Sequence, residues 1–193
     1  VPRAGLDGAT VTAAAAAVAD EIGLARLSMS TVAERLGVKA PSLYKHVDGL
    51  DDLTRRVALL AATQLGDELR DAMQGLAGRD ALEAAARTVR RYVQQHPGRY
   101  DATVGIRPDG PDDPLAVALE RTLASFAAAL RAYDLPPADD VHALRMLRSA
   151  LHGFAVIESS GGFQMATDVD ASFVWMVDFL DRGLRATGSA GPA

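Results

Sequence analysis

The stretch SMSTVAERLGVKAPSLYKHV, Ser28 to Val47, decides how this chain is read. Ser28 is a helix N-cap residue, and Val32, Ala33 and Leu36 fall on one face of the helix it would start. Gly37 supplies a turn and Val38 plugs it. A second short helix, near residues 40–46, follows, with Pro41 in its first turn where a missing N–H costs nothing. Leu43 and Val47 lie on one side of it. Lys39, Ser42, Tyr44, Lys45 and His46 are free to face elsewhere. Two short helices joined by a glycine-containing turn form the helix-turn-helix unit, whose second helix enters the DNA major groove.

Charge supports this reading. The chain carries a net charge of −5 over 193 residues, which argues against a general nucleic-acid coat. Between Arg35 and Val47, however, Arg35, Lys39 and Lys45 are the only charged residues, and Lys39 and Lys45 are the only lysines in the sequence. Acids flank the segment at Glu34, Asp48, Asp51 and Asp52. A cationic tip on an acidic body suits a protein that meets phosphates at one place.

The remaining periodicity is helical throughout, so the fold class is all-α. A first helix runs from near Asp7 to Ile22, with Val11, Ala14, Ala15, Val18 and Ile22 on one face. After the helix-turn-helix a long helix starts at Asp48-Gly49 and ends near Gly75. Asp51 and Asp52 in its first turn oppose the positive end of its dipole. Gly78 separates it from a helix carrying Leu82, Ala86, Val89 and Val93, stopped by His96-Pro97-Gly98. A short helical piece is expected over 98–104, then a loop to Pro114. Asp113-Pro114 opens a helix with the stripe Ala116, Leu119, Leu123, Phe126, Leu130 and Tyr133. Pro136-Pro137 breaks the chain. A helix over about 138–159 and a last one starting at Asp168 or Asp170 complete about nine helices, with a frayed end from Thr187. The expected organisation is an N-terminal three-helix helix-turn-helix domain, 1–48, followed by a helical-bundle regulatory and dimerisation domain, 49–193.

The last helix is apolar on more than one side. Phe173, Val177, Leu180 and Leu184 form one stripe, and Trp175 and Phe179 lie on another. A terminal helix needs one stripe to dock on its own core, so the surplus predicts a second partner, most simply a second copy of the chain. The expected interface consists of Leu147, Leu151, Phe154, Phe173, Val177, Leu180 and Leu184.

Other classes find little support. No cysteine is present, so disulfides and thiolate sites are excluded. No apolar run approaches the ~20 residues of a membrane span, and Ala13–Ala17 lacks a basic flank, so neither membrane nor signal peptide is expected and the location is cytoplasmic. A di-metal carboxylate bundle needs paired Glu-x-x-His motifs, and only Asp139-x-x-His142 occurs. No glycine-rich phosphate loop follows a strand. Neither enzyme activity, metal nor cofactor is expected.

From Asp7 to about Val57 the chain resembles the tetracycline-repressor (TetR) family of bacterial transcription regulators. The likeness rests on the first amphipathic helix, SMSTVAERLGV, and APSLYKHV leading into an acidic helix start. RSALHGFAVIESSGGF, Arg148 to Phe163, is similar to a regulatory-domain subgroup marked by Trp-His-Gly, with Leu151 in the first place and His152-Gly153 matching. The resemblance implies a homodimer built from the last two long helices, a palindromic double-stranded operator, and a small-molecule effector that releases a repressor from it. It also implies DNA-facing roles for Ser28, Met29 and Ser30 at the first helix start and for Lys39, Ala40, Pro41, Ser42, Tyr44, Lys45 and His46 in the second. Tyr92, His96, Tyr100, Phe126, Arg145 and His152 fall on helices where relatives hold ligands. Two positions depart from the pattern: Leu50 stands where relatives often have a basic residue, and Ala40 offers a base only a methyl contact. A dimeric helical ligand-binding or interaction protein that has lost DNA binding is the alternative.

Overall fold

A computed structural model describes residues 6–189. Among the described residues there are eight α-helices, three short 3-10 segments and no strand. The helices are α1 (Gly8–Ile22), α2 (Met29–Leu36), α3 (Leu50–Ala72), α4 (Gly78–Gln95), α5 (Pro97–Ala102), α6 (Pro114–Leu130), α7 (Asp140–Ser159) and α8 (Val169–Ser189). The recognition segment, Ala40–Lys45, winds as a 3-10 helix rather than the expected α-helix. Its closing bonds span three residues, from Ser42 N–H to the Lys39 carbonyl at 2.8 Å and from His46 N–H to Leu43 at 2.9 Å. Pro41 removes one donor, and at six residues the segment is too short for an α-helical ladder to prevail. The expected fraying from Thr187 does not occur as far as Ser189, where α8 ends; residues 190–193 lie outside the described residues.

Contacts divide the chain into two compact units that do not follow chain order. The first gathers residues 6–63 and 95–117. α1 contributes Val11, Ala15, Ala16, Val18 and Ala19 to its core. Leu27, Met29, Val32 and Ala33 around α2, Leu43 and Val47 of the recognition segment, and Leu53 and Val57 of α3 are buried with them. α5 packs on α1 so closely that a Cβ on Gly98 would lie 2.0 Å from the Ala19 carbonyl oxygen, which makes glycine obligatory there. The loop after α5 is tied to α3 by Arg55, whose guanidinium pairs with Asp113 and, at 3.0 Å, with Asp109. Asp113 also caps α6, its Oδ1 accepting the Leu115 N–H at 2.9 Å. These two backbone N–H bonds, from Asp109 and Leu115, hold its carboxyl below the usual range, aided by Arg55 against the opposing effect of desolvation.

The second unit comprises residues 64–94 and 118–189 of the described chain. Leu65 and Leu69 of α3, Leu82, Val89, Tyr92 and Val93 of α4, Phe126 and Leu130 of α6, Leu147 and Leu151 of α7, and Phe173, Val177, Leu180 and Leu184 of α8 are buried in it. α7 and α8 are antiparallel neighbours, with Phe154 packed edge-on to Phe173 at 5.4 Å. Arg90 of α4 closes that end. It pairs with Glu158 and with Asp170 at 2.6 Å, and its guanidinium lies 4.7 Å from the Phe173 ring centroid.

Candidate nucleic-acid interface

The helix-turn-helix is built by caps and a turn before any side chain is offered outward. Ser28 and Thr31 exchange bonds as a capping box: Ser28 Oγ accepts the Thr31 N–H at 3.1 Å, and the Thr31 hydroxyl accepts the Ser28 N–H at 3.0 Å. Gly37 ends α2 in the left-handed region at φ 65°, which a side chain would oppose. That geometry brings the Val38 N–H to the Ala33 carbonyl at 3.0 Å and turns the chain into the recognition segment. Leu43 and Val47 then anchor the segment from beneath. Asp7, the cap of α1, lies within electrostatic reach of His46. Its carboxyl is held low first by the Thr10 backbone N–H, with the His46 charge a smaller contribution.

With one side buried, the other is fixed outward. Tyr44 is 58 % exposed, so its ring does not pack beneath the turn. Lys39, Pro41 and Lys45 are exposed, and Ala40, Ser42 and His46 are half-buried beside them. Ser30 is exposed and Ser28 half-buried. Met29 requires a correction. Its side chain is 8 % exposed and belongs to the core, leaving only its backbone at the start of α2 on the outer side. Leu50 is exposed at the start of α3, an apolar residue on a polar rim.

The structure also redistributes the local charge. Arg35 pairs with Glu21 of α1, and that bond lowers the Glu21 carboxyl and raises the Arg35 guanidinium. Arg56 bonds both oxygens of Asp52, which also accepts the Asp48 N–H at 2.9 Å. Among the described residues Lys39 and Lys45 make no ion pair, so the sequence's three positive charges reduce to two that are available to a phosphate. Arg26, exposed in the 3-10 turn before Ser28, is a further cation on this unit that the sequence reading passed over. Its position two residues before the cap was the available signal.

The six expected ligand residues do not fall in one unit. Tyr92 is fully buried in the second, its hydroxyl donating to Gln64 Oε1 at 3.1 Å, and Phe126 is buried there as well. His152 is half-buried on α7. Arg145 is exposed on α7 and is corrected from wall to surface residue. His96 and Tyr100 belong to the first unit, where His96 Nδ1 lies 3.2 Å from Asp20. The expected interface residues need the opposite correction. Leu147, Leu151, Phe173, Val177, Leu180 and Leu184 are buried within the protomer, and Phe154 is half-buried between Phe163 and Phe173. The more apolar stripe of each helix docks on its own core. The second stripe, with Trp175 and Phe179, is the one left outside.

A capped helix, a glycine turn and a short exposed segment bearing tyrosine and unpaired lysines, with helices the only regular elements among the described residues, define a helix-turn-helix regulator. The chain belongs to the TetR family of bacterial transcription regulators. Residues 11–57 match the family model described as bacterial regulatory proteins, tetR family, and residues 82–180 match the tetracyclin repressor-like C-terminal domain. An uncharacterized HTH-type transcriptional regulator of Mycobacterium tuberculosis, Rv0681, is 38 % identical over 176 residues, covering 90 % of this chain and 80 % of that protein. A second, YobS of Bacillus subtilis, is 28 % identical over 95 % of each chain. Among solved structures, a TetR variant from Acinetobacter baumannii AYE in complex with minocycline is 26 % identical, with a TM-score of 0.70 over 94 % of this chain and 98 % of that one. No helix among the described residues is long and apolar enough to cross a membrane.

Proposed function

We propose that this regulator is a cytoplasmic homodimer that represses transcription by holding a palindromic operator through the Ala40–Lys45 segment of each copy, and that a small molecule releases it. The observation that carries the reading is the two-sidedness of that segment: Leu43 and Val47 are locked in the core while Tyr44, Lys39 and Lys45 project from it. Tyr44 and Ser42 donate to phosphate oxygens, the lysines neutralise phosphates or reach guanine edges, and Ala40 contributes at most a methyl contact to thymine. Ser28, Ser30 and the backbone at Met29 sit at the α2 start, where N–H groups favour anions. Two copies related by a two-fold axis address half-sites roughly 34–36 Å apart.

A small-molecule effector is supported by the minocycline complex of the Acinetobacter relative. The effector has to bind the DNA-competent and DNA-free states unequally, since equal affinity shifts nothing. The test is protection from cleavage on the promoter beside the protein's own gene. A symmetric footprint that weakens steeply with salt is expected. Absence of any footprint there, together with salt-insensitive binding to random DNA, would overturn the reading.

A further inference from the structure

The second unit carries a projecting aromatic pair and a groove that share Phe179. Trp175 and Phe179, one turn apart on α8, are 63 % and 55 % exposed. Their rings stack at 5.3 Å with an interplanar angle of 15°. The groove, of about 390 Å³, lies between the first half of α7 and the last half of α8. Met146, Phe179, Leu184 and Gly183 line it, with Asp139 and His142 at its polar edge.

Gly183 is the informative residue. Glycine in a helix interior costs roughly 1 kcal/mol relative to alanine. Elsewhere on α8 the protomer needs its glycine, since a Cβ on Gly188 would lie 1.8 Å from the Tyr133 carbonyl oxygen. At Gly183 a Cβ would meet nothing within 4 Å, so nothing in the protomer explains the missing side chain. Gly153 inside α7 is equally open, but Gly183 alone of the two lines the groove, where a missing side chain leaves room for a close approach from outside.

We propose that the groove floored by Gly183 receives Trp175 of a second copy of this chain, and that each copy supplies both parts. The proposal rests on the homodimer reading above. Trp175 and Gly183 stand four residues to either side of Phe179. A two-fold axis crossing α8 at Phe179 therefore exchanges their levels, which is the self-complementarity an isologous interface requires. The lining is mostly apolar and includes Met146 and Phe179, both exposed, so the occupant that fits is an aromatic side chain arriving with a helix. A tryptophan in a desolvated central pocket is the kind of residue that dominates interface energetics.

Trp175 is the only tryptophan in the sequence, so its emission reports this contact alone. The full-length chain is followed by sedimentation equilibrium and tryptophan emission across a dilution series. The wild type is expected to be a dimer with blue-shifted emission that moves red as it dissociates. Gly183→Leu, which the protomer has room for, is expected to raise the dimer dissociation constant roughly 30-fold or more and to expose the indole, with helix content unchanged. Trp175→Ala is expected to weaken the dimer similarly, and combining it with Gly183→Leu to restore part of the affinity as leucine fills the vacated space. A Gly183→Leu dimer as tight as wild type with unaltered emission overturns the proposal while leaving the homodimer standing. So does a wild-type dimer whose indole is in water and whose groove takes an apolar dye, the result expected of a small-molecule site. A wild type that stays monomeric at every concentration removes the homodimer reading itself.

Discussion

The carboxylate of Asp20, near the end of α1, accepts the backbone N–H of Arg99 at 2.9 Å. Arg99 lies in the first turn of α5, where N–H groups lack an intrahelical partner, so Asp20 caps a helix that begins 77 residues further along the chain. The Arg99 Nε lies 2.9 Å from the same carboxylate and His96 Nδ1 lies 3.2 Å from it. This carboxylate and the packing of Gly98 against Ala19 both fasten α5 to α1, the helix on which α2 packs. Asp20→Ala is expected to lower stability by about 1–3 kcal/mol, the cost of stranding partly buried donors. Gly98→Ala is expected to cost roughly 2–4 kcal/mol, because its Cβ has to displace a backbone carbonyl rather than a flexible side chain. Denaturant unfolding of each variant measures both, and a neutral Gly98→Ala would mean that α5 does not sit against α1 in solution.

The Ser28–Thr31 capping box makes a smaller and more local claim. Ser28→Ala removes the acceptor for the Thr31 N–H and is expected to cost about 1 kcal/mol. Ser28→Asp keeps an acceptor there and is expected to retain most of the stability. Because α2 positions the recognition segment through Val32 and Ala33, the alanine variant should also weaken operator binding, whereas the aspartate variant adds a negative charge near phosphate and should weaken it further while staying folded. Comparing melting curves with DNA affinity separates the two effects.

Much of the first unit was legible because its signals are local. A cap, a glycine turn and apolar residues at helical spacing lie within one twenty-residue window; the structure reproduces the Ser28 cap, the Gly37 turn and the burial of Val32, Ala33, Leu43 and Val47, while Leu36, expected inward, is half-buried. What was not legible depends on residues distant in sequence. Glu21 neutralises Arg35 from another helix, and no pattern inside the segment reveals that. Residues 95–117 join the first unit through Asp20, Gly98 and Arg55, contacts between residues tens of positions apart. On α8 the sequence displayed two apolar stripes but not which one turns inward. Phe173, Val177, Leu180 and Leu184 are more continuous in spacing and win the core, leaving the stacked aromatic pair outside.

Asp181 is one source of acid sensitivity: its Oδ1 accepts the Tyr133 hydroxyl at 2.8 Å and its Oδ2 accepts from Arg185 at 3.0 Å. Desolvation raises its carboxyl, but the Arg185 and Tyr133 bonds outweigh that and leave it below the ordinary value of 3.8. A carboxyl depressed in the folded state contributes its full stability above the unfolded value and loses it as pH falls through the folded one. The loss therefore lies below about pH 4. Asp181→Asn is expected to be less stable than wild type at neutral pH and to approach it under acid, with a shallower dependence of stability on pH in between. Parallel curves for the two proteins from pH 6 to pH 2 would show that this carboxylate carries no linkage.

The two free lysines allow the DNA assignment to be tested without knowing the operator. Each phosphate neutralised contributes about 0.9 to the slope of log affinity against log salt. If Lys39 and Lys45 each meet a phosphate, the double alanine variant of a homodimer loses four contacts, and its slope on random duplex DNA is expected to fall by roughly 3 to 4. Tyr44→Phe keeps the ring but removes the donor, and is expected to weaken random and operator DNA by a similar factor with the slope nearly intact, since no charge changes. Arg35→Ala is the internal control: its guanidinium is already engaged by Glu21, so it should alter the slope little. A double lysine variant that keeps the wild-type slope would exclude these side chains from the phosphate contacts. A large slope change in Arg35→Ala would show that the ion pair to Glu21 opens when DNA binds.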